Sequence, residues 1–233
     1  MIVCHKYRFV FLKTRKTAGT SVEIALASLC GPGDILTPIE PKDETLRMER
    51  TGAGARNWQG RFDPLPELFG RFREVAPKPL RDWWQRRRFF NHMSAFQIRA
   101  RLAPEIWSSY FKFCFERNPW DKAVSAYYFA RRGKETGADD FARFTRSRDL
   151  PVDYPRYTIG GAIAVDFIGR YESLDADLAQ VCAQLGAPAP GVLPRAKGDL
   201  RPKAPYRELY TPETKDRVAR AFKREIVQFR YEF

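Results

Sequence analysis

Residues 7–21, YRFVFLKTRKTAGTS, decide the fold. The first six are rich in β-branched and aromatic residues and read as a short buried strand over 7–12. Residues 13–21 are basic and small, and a helical pattern then runs from about 20 to 30, closed by Gly31 and Pro32. A strand–loop–helix unit aims backbone N–H groups at whatever sits over the helix N-terminus, where the helix dipole favours an anion. Lys16 supplies a mobile cation, and Gly19 permits close backbone approach. Thr17, Thr20 and Ser21 add hydroxyl donors. The order is not that of a Walker A loop, because the lysine precedes the glycine and there is no first glycine. An ordinary basic turn capped by Thr20 or Ser21 explains the same string, and the stretch alone leaves both readings open.

Working outward, residues 110–116 (YFKFCFE) predict a second central strand. Asn118 and Pro119 then cap and open a helix to about 131. Arg117 falls where that strand ends, the usual ligand edge of an α/β sheet, and its planar fork suits a phosphate. Ser125 lies eight residues further on. The plainer reading pairs Arg117 with Glu116 or Asp121 and makes Ser125 a small packing residue. Two separated anion sites would suit one nucleotide carrying phosphates at both ends of its ribose. Elsewhere the pattern predicts a third strand over 165–171 and helices from Ser94 to about 102, over 139–148, and from Ser173 to near Gly186. Thr211 and Pro212 open a last helix with Val218, Phe222, Ile226 and Phe229 on one face. Residues 40–80 are poorly periodic and suggest loops and short helices. Strands separated by helices predict an α/β fold, a parallel sheet flanked by helices on both faces, in one domain over 1–233.

The net charge of +13 favours polyanionic partners such as nucleotides, acidic glycans, nucleic acid or anionic membranes, without choosing among them. Cys4, Cys30, Cys114 and Cys182 form no C-x-x-C pair and read as small core residues. With only His5 and His92 as histidines, no metal site is expected. No secretory segment or 20-residue apolar span is present, and the first strand begins almost at Met1. That predicts a cytoplasmic protein with no membrane anchor.

The two anion sites together resemble the sulfotransferase family that uses 3′-phosphoadenosine 5′-phosphosulfate, its carbohydrate O-sulfotransferase branch above all. Residues 16–21 (KTAGTS) match its loop for the 5′-phosphosulfate, and residues 117–127 (RNPWDKAVSAY) its segment for the 3′-phosphate. Residues 166–174 and 206–217 also look familial, and the matches span almost the whole chain in family order. The resemblance implies a P-loop NTPase-like sheet and transfer of a sulfuryl group to an acceptor hydroxyl without a metal. Lys16, Thr17, Ala18, Gly19, Thr20, Ser21, Arg117 and Ser125 would bind the donor, with Lys16 also stabilising the leaving phosphate. The branch places its catalytic histidine in an H-x-[ST]-A segment. That segment is matched by HMSAF at 92–96, so His92 is the candidate general base, a role for which histidine suits near-neutral chemistry. Arg15 departs from the proline common before the lysine. The implied acceptor is a glycan hydroxyl, with a small hydroxylated metabolite or a protein tyrosine as alternatives. A nucleotide- or polyanion-binding protein without transferase activity is the rival from another class; specific nucleic-acid recognition is not expected. The basic aromatic stretch 81–90 is a candidate acceptor wall, its plainer reading being a helix with Trp and Phe inside and arginines in water. Lys197, Arg201 and Lys203 are candidates to close over the nucleotide.

Overall fold

A computed structural model describes residues 1–69, 79–132, 136–147, 150–189, 191–194 and 204–233. Lys197, Arg201 and Lys203 lie outside these. The chain begins with a hairpin, β1 (Ile2–Cys4) and β2 (Phe9–Phe11), followed by α1 (Gly19–Ala27), β3 (Ile35–Leu36) and α2 (Pro41–Thr51). Four short helices come next: α3 (Leu65–Phe69), α4 (Pro79–Trp84), α5 (Ala95–Arg101) and α6 (Pro104–Ser109). The middle of the chain holds β4 (Phe111–Glu116), α7 (Pro119–Ala130), α8 (Ala138–Arg146), α9 (Tyr154–Tyr157) and a two-stranded ribbon of β5 (Thr158–Ile159) and β6 (Ala162–Ile163). β7 (Phe167–Arg170), α10 (Leu174–Gln184), α11 (Pro212–Ala221) and α12 (Lys223–Phe229) complete it.

The sheet order is β3-β1-β2-β4-β7. β2, β4 and β7 run parallel, whereas β1 is antiparallel to both β2 and β3. The expected all-parallel sheet is therefore a mixed one. The reason is the four-residue link between β1 and β2, which turns at Arg8 (φ 52°) and is far too short for a parallel crossover. Helices cover both faces, and the strands divide their side chains with period two. Val3, Val10, Leu12 and Cys114 join Ile98, Val124, Tyr127 and Phe222 on one side. Cys4, Phe9, Phe11, Phe113 and Phe115 join Val22, Leu26, Leu178 and Val181 on the other.

Local signals place most helix starts. Ser94 and Gln97 form a capping box at α5, and Asn118 Oδ1 accepts from the Trp120 and Asp121 amides at α7. Thr211 and Thr214 cap α11, but the final helix is not continuous: it breaks at Phe222, which ends α11 and opens α12. Ser173 precedes α10 without a side-chain cap bond. No described helix is long and apolar enough to cross a membrane.

Candidate functional site: one cavity at the carboxyl ends of the parallel strands

Because β2 and β4 are parallel neighbours, with Phe9 beside Phe111 and Phe11 beside Phe113, the segments leaving their C-terminal ends start side by side. Contacts tie the two segments together. Thr14 Oγ1 donates to the Phe115 carbonyl at 2.5 Å, and Arg117 Nη1 donates to the Lys16 carbonyl at 3.1 Å. A cavity of about 480 Å³ opens there. Lys16, Ala18, Gly19, Thr20, His92, Arg117 and Ser125, all singled out in the sequence, line it together. Thr17 and Ser21 do not. Both are buried, and the Thr17 hydroxyl is 2.9 Å from that of Thr14, so it braces the loop.

The loop is a strained cradle. Lys16 and Ala18 have φ of 61° and 56°, and His92, which also lines the cavity, has φ of 60°. Left-handed backbone is unfavourable for residues with a Cβ, and such strain concentrates at functional sites. Ala18 is the residue at the N-cap of α1 and supplies no side-chain cap, so neither Thr20 nor Ser21 plays the capping role that the plain-turn reading required. Gly19 has a packing reason: a Cβ there would lie 2.8 Å from Lys13 Cγ. That lysine is buried, and its Nζ is 2.5 Å from Glu23 Oε2 of α1. Burial alone would raise the Glu23 carboxyl, but Lys13 and the Met1 ammonium hold it at about 2.

Two cations of the cavity lining rest on aromatic faces. Lys16 Nζ sits 4.0 Å from the Phe129 ring centroid, and Arg117 Cζ 3.9 Å from that of Tyr171. Arg117 also donates from Nε to Asp121 Oδ2 at 2.8 Å, so the acid pairing is real and coexists with its place on the cavity wall. Phe129 and Tyr171 were not anticipated as site residues. Phe129 stands one helical turn beyond Ser125, a spacing that puts both on one face of α7.

His92 Nδ1 lies 3.0 Å from the Lys13 carbonyl oxygen. A carbonyl only accepts, so Nδ1 carries the hydrogen and Nε2 is the basic nitrogen. Burial foremost, and then the Lys13 charge, push His92 down to about 3, leaving it neutral at ordinary pH. Arg156 donates to the His92 carbonyl and, through Nε, to Asp153 Oδ1 at 2.8 Å, fixing the left-handed turn.

Behind the cavity Asp153 is a buried hub. It accepts from the Arg15 amide at 2.6 Å and from Arg15 Nε at 2.8 Å, and Lys122 Nζ lies 3.0 Å away. Lys122 also meets Glu116 at 2.5 Å. Burial would raise Asp153, but Lys122, Arg15 and Arg156 hold it well below the carboxylate range. Arg15, the residue that departs from the proline pattern, thus anchors the cradle to the segment before α9.

The basic aromatic stretch departs from the plainer expectation that its tryptophans lie inside. Trp83 and Trp84 are exposed (44% and 80%), while Phe89 is buried. None of residues 81–90 lines the cavity; Asn91 and His92 do. His5 sits at the surface, its Nδ1 2.8 Å from Tyr110 Oη.

No family model and no solved structure matches the chain. A protein of Archaeoglobus fulgidus described as uncharacterized is 38% identical to it over 101 residues, 41% of this chain and 84% of that relative. The chain belongs to one family with this archaeal protein.

Proposed function

We propose that the chain is a sulfotransferase that binds 3′-phosphoadenosine 5′-phosphosulfate and passes its sulfuryl group to an acceptor hydroxyl, a glycan hydroxyl foremost. The observation that carries this reading is the single cavity joining the Lys16–Gly19–Thr20 cradle to Arg117 and Ser125. Its size falls within the range of about 300–1,000 Å³ usual for small-ligand sites. On this reading β2, the cradle and α1 form a P-loop-like unit whose loop order is not Walker A, in a protein of the cytoplasm. Four free cysteines fit a reducing compartment.

The donor supplies an activated sulfuryl group. The chain contributes placement and charge. Lys16 and the first amides of α1 face the 5′ end, and Arg117 with Ser125 the 3′-phosphate. His92 Nε2 takes the proton of the attacking hydroxyl. A base near 3 is poorly matched to neutral pH; burial, its main cause, stays in the complex, while an anionic ligand beside His92 opposes the Lys13 charge and so raises the proton affinity.

Two measurements test the proposal. Thermal shift should show stabilisation by adenosine 3′,5′-bisphosphate, and not by ATP with magnesium or by a random oligonucleotide. Stabilisation by the oligonucleotide alone would instead support the polyanion-binding reading that +13 suggests. With labelled donor and a panel of glycan, small-molecule and tyrosine acceptors, His92→Ala should lower kcat by roughly 100- to 10,000-fold. A change of only a few-fold removes His92 as the base.

A further inference from the structure

The opposite end of α1 carries a second cluster that neither the cavity nor the proposed reaction uses. Cys4 ends β1, Cys30 follows α1 by three residues, and Asp34 immediately precedes β3. The two Sγ atoms and a carboxylate oxygen of Asp34 lie within 4.8 Å of one another. Cys4 and Asp34 are buried, and Cys30 is half-buried, which leaves a path from solvent.

The surroundings favour a cation. Cys4 Sγ donates to the Leu29 carbonyl at 3.7 Å and Cys30 Sγ to the Leu26 carbonyl at 3.4 Å, so the negative end of the α1 dipole faces the cluster. The Asp34 carboxylate is held in place by the His5 and Gly31 amides at 2.6 and 2.7 Å. Each oxygen keeps a further lone pair, and such outer bonds are what orient a ligating carboxylate.

A pair of adjacent thiols also suggests disulfide chemistry. The Asp34 carboxylate has no part in a disulfide, yet its charge lies within 4.8 Å of both sulfurs. Beside a bound cation the same charge becomes attraction. Two sulfurs and one oxygen suit a tetrahedral ion of the zinc kind. Bond lengths of about 2.3 Å to sulfur and 2.0–2.2 Å to oxygen require ligand separations of roughly 3.5–3.8 Å, within reach of small side-chain rotations here.

We propose that Cys4, Cys30 and Asp34 bind a zinc-class divalent cation, with water as the fourth ligand on the open side of Cys30. Binding releases the two thiol protons and forms two metal–sulfur bonds and one metal–oxygen bond. The ion would tie β1, the end of α1 and the start of β3 together.

Reduced, chelator-stripped protein titrated anaerobically with Co²⁺ should develop thiolate-to-cobalt charge-transfer absorption and tetrahedral visible bands. These should saturate at one equivalent and be displaced by Zn²⁺. Cys30→Ser, at a half-buried position, should lose the charge-transfer absorption while keeping its far-ultraviolet circular dichroism. Asp34→Asn should require more Co²⁺ to saturate, and Zn²⁺ should raise the Tm of the wild type but not of Cys30→Ser. The proposal is overturned if the folded, reduced wild type shows no thiolate charge transfer, or if Cys30→Ser retains it. It is also overturned if a mild oxidant joins Cys4 to Cys30 by mass while Co²⁺ leaves the spectrum unchanged.

Discussion

Two groups of charges meet at the cavity, where Arg15 of one and Lys16 and Arg117 of the other share the lining, and they behave in opposite ways. Around Asp153, the carboxylates and cations are satisfied by one another: Lys122 and Asp153 have side chains of 0% exposure and meet at 3.0 Å, while Arg156 and Arg15 reach outward from that centre. On the cavity wall, Lys16 and Arg117 lean on aromatic rings, and Arg117 shares a partly exposed Asp121. A buried ion set resists change, because removing one member strands the others in a low-dielectric interior. Cations resting on π faces at an open wall can exchange part of that contact for a ligand oxygen. The inner group shapes the floor, and the outer group is available for chemistry.

The sharpest way to break this contrast is Asp153→Ala, which leaves Lys122, Arg15 and Arg156 without their shared acid. Urea denaturation should show a loss of about 3–5 kcal/mol; a loss near that of a surface pair would erase the distinction. Next comes pH. Burial foremost, with help from Asp153 and Glu225 and against Lys122, lifts Glu116 from 4.5 to about 7. The native state therefore holds a proton that the unfolded chain releases. Glu116 contributes stability that is full below pH 4.5 and is lost as pH rises through about 7. His92, lowered from 6.5 to about 3, slopes the other way, its contribution present above 6.5 and lost as pH falls towards 3. The stability difference between wild type and Glu116→Gln, followed across this range, isolates the first effect; a flat difference refutes it.

On the outer wall the expected changes are in binding. Arg117→Ala should weaken adenosine 3′,5′-bisphosphate by roughly 10- to 150-fold, the worth of hydrogen bonds to a charged group, as read by calorimetry. Equal affinity would mean that Arg117 serves only Asp121 and the Lys16 carbonyl. Smallest of all, Asp121→Asn should tighten the same ligand by roughly two- to five-fold, because the guanidinium loses a partly exposed competitor.

Much of this arrangement was legible before any coordinates. The apolar runs placed β2, β4 and β7, the Ser94, Asn118 and Thr211 caps placed three helices, and the spacing of basic and small residues placed the cavity wall. β1 and β3 were missed because three and two residues are too short for a period to show. α2 fell within the stretch read as loops and short helices but was not singled out. The residues it buries are Asp43 and Arg47, so no apolar stripe marks it, although Pro41 at its start and the left-handed Gly52 at its end mark the boundaries. The Arg15–Asp153 contact spans 138 positions, and Cys4 meets Cys30 across 26, so only the fold brings either pair together.

The left-handed turn at Lys16 and Ala18 has a kinetic consequence. Its backbone is already bent before any ligand arrives, held by Arg15 on Asp153 and by Thr14 on β4. Little conformational freedom is left to surrender on association, so encounter rather than loop ordering should limit capture of an anion. With +13 charges setting the long-range field, that capture rate should fall steeply as ionic strength rises.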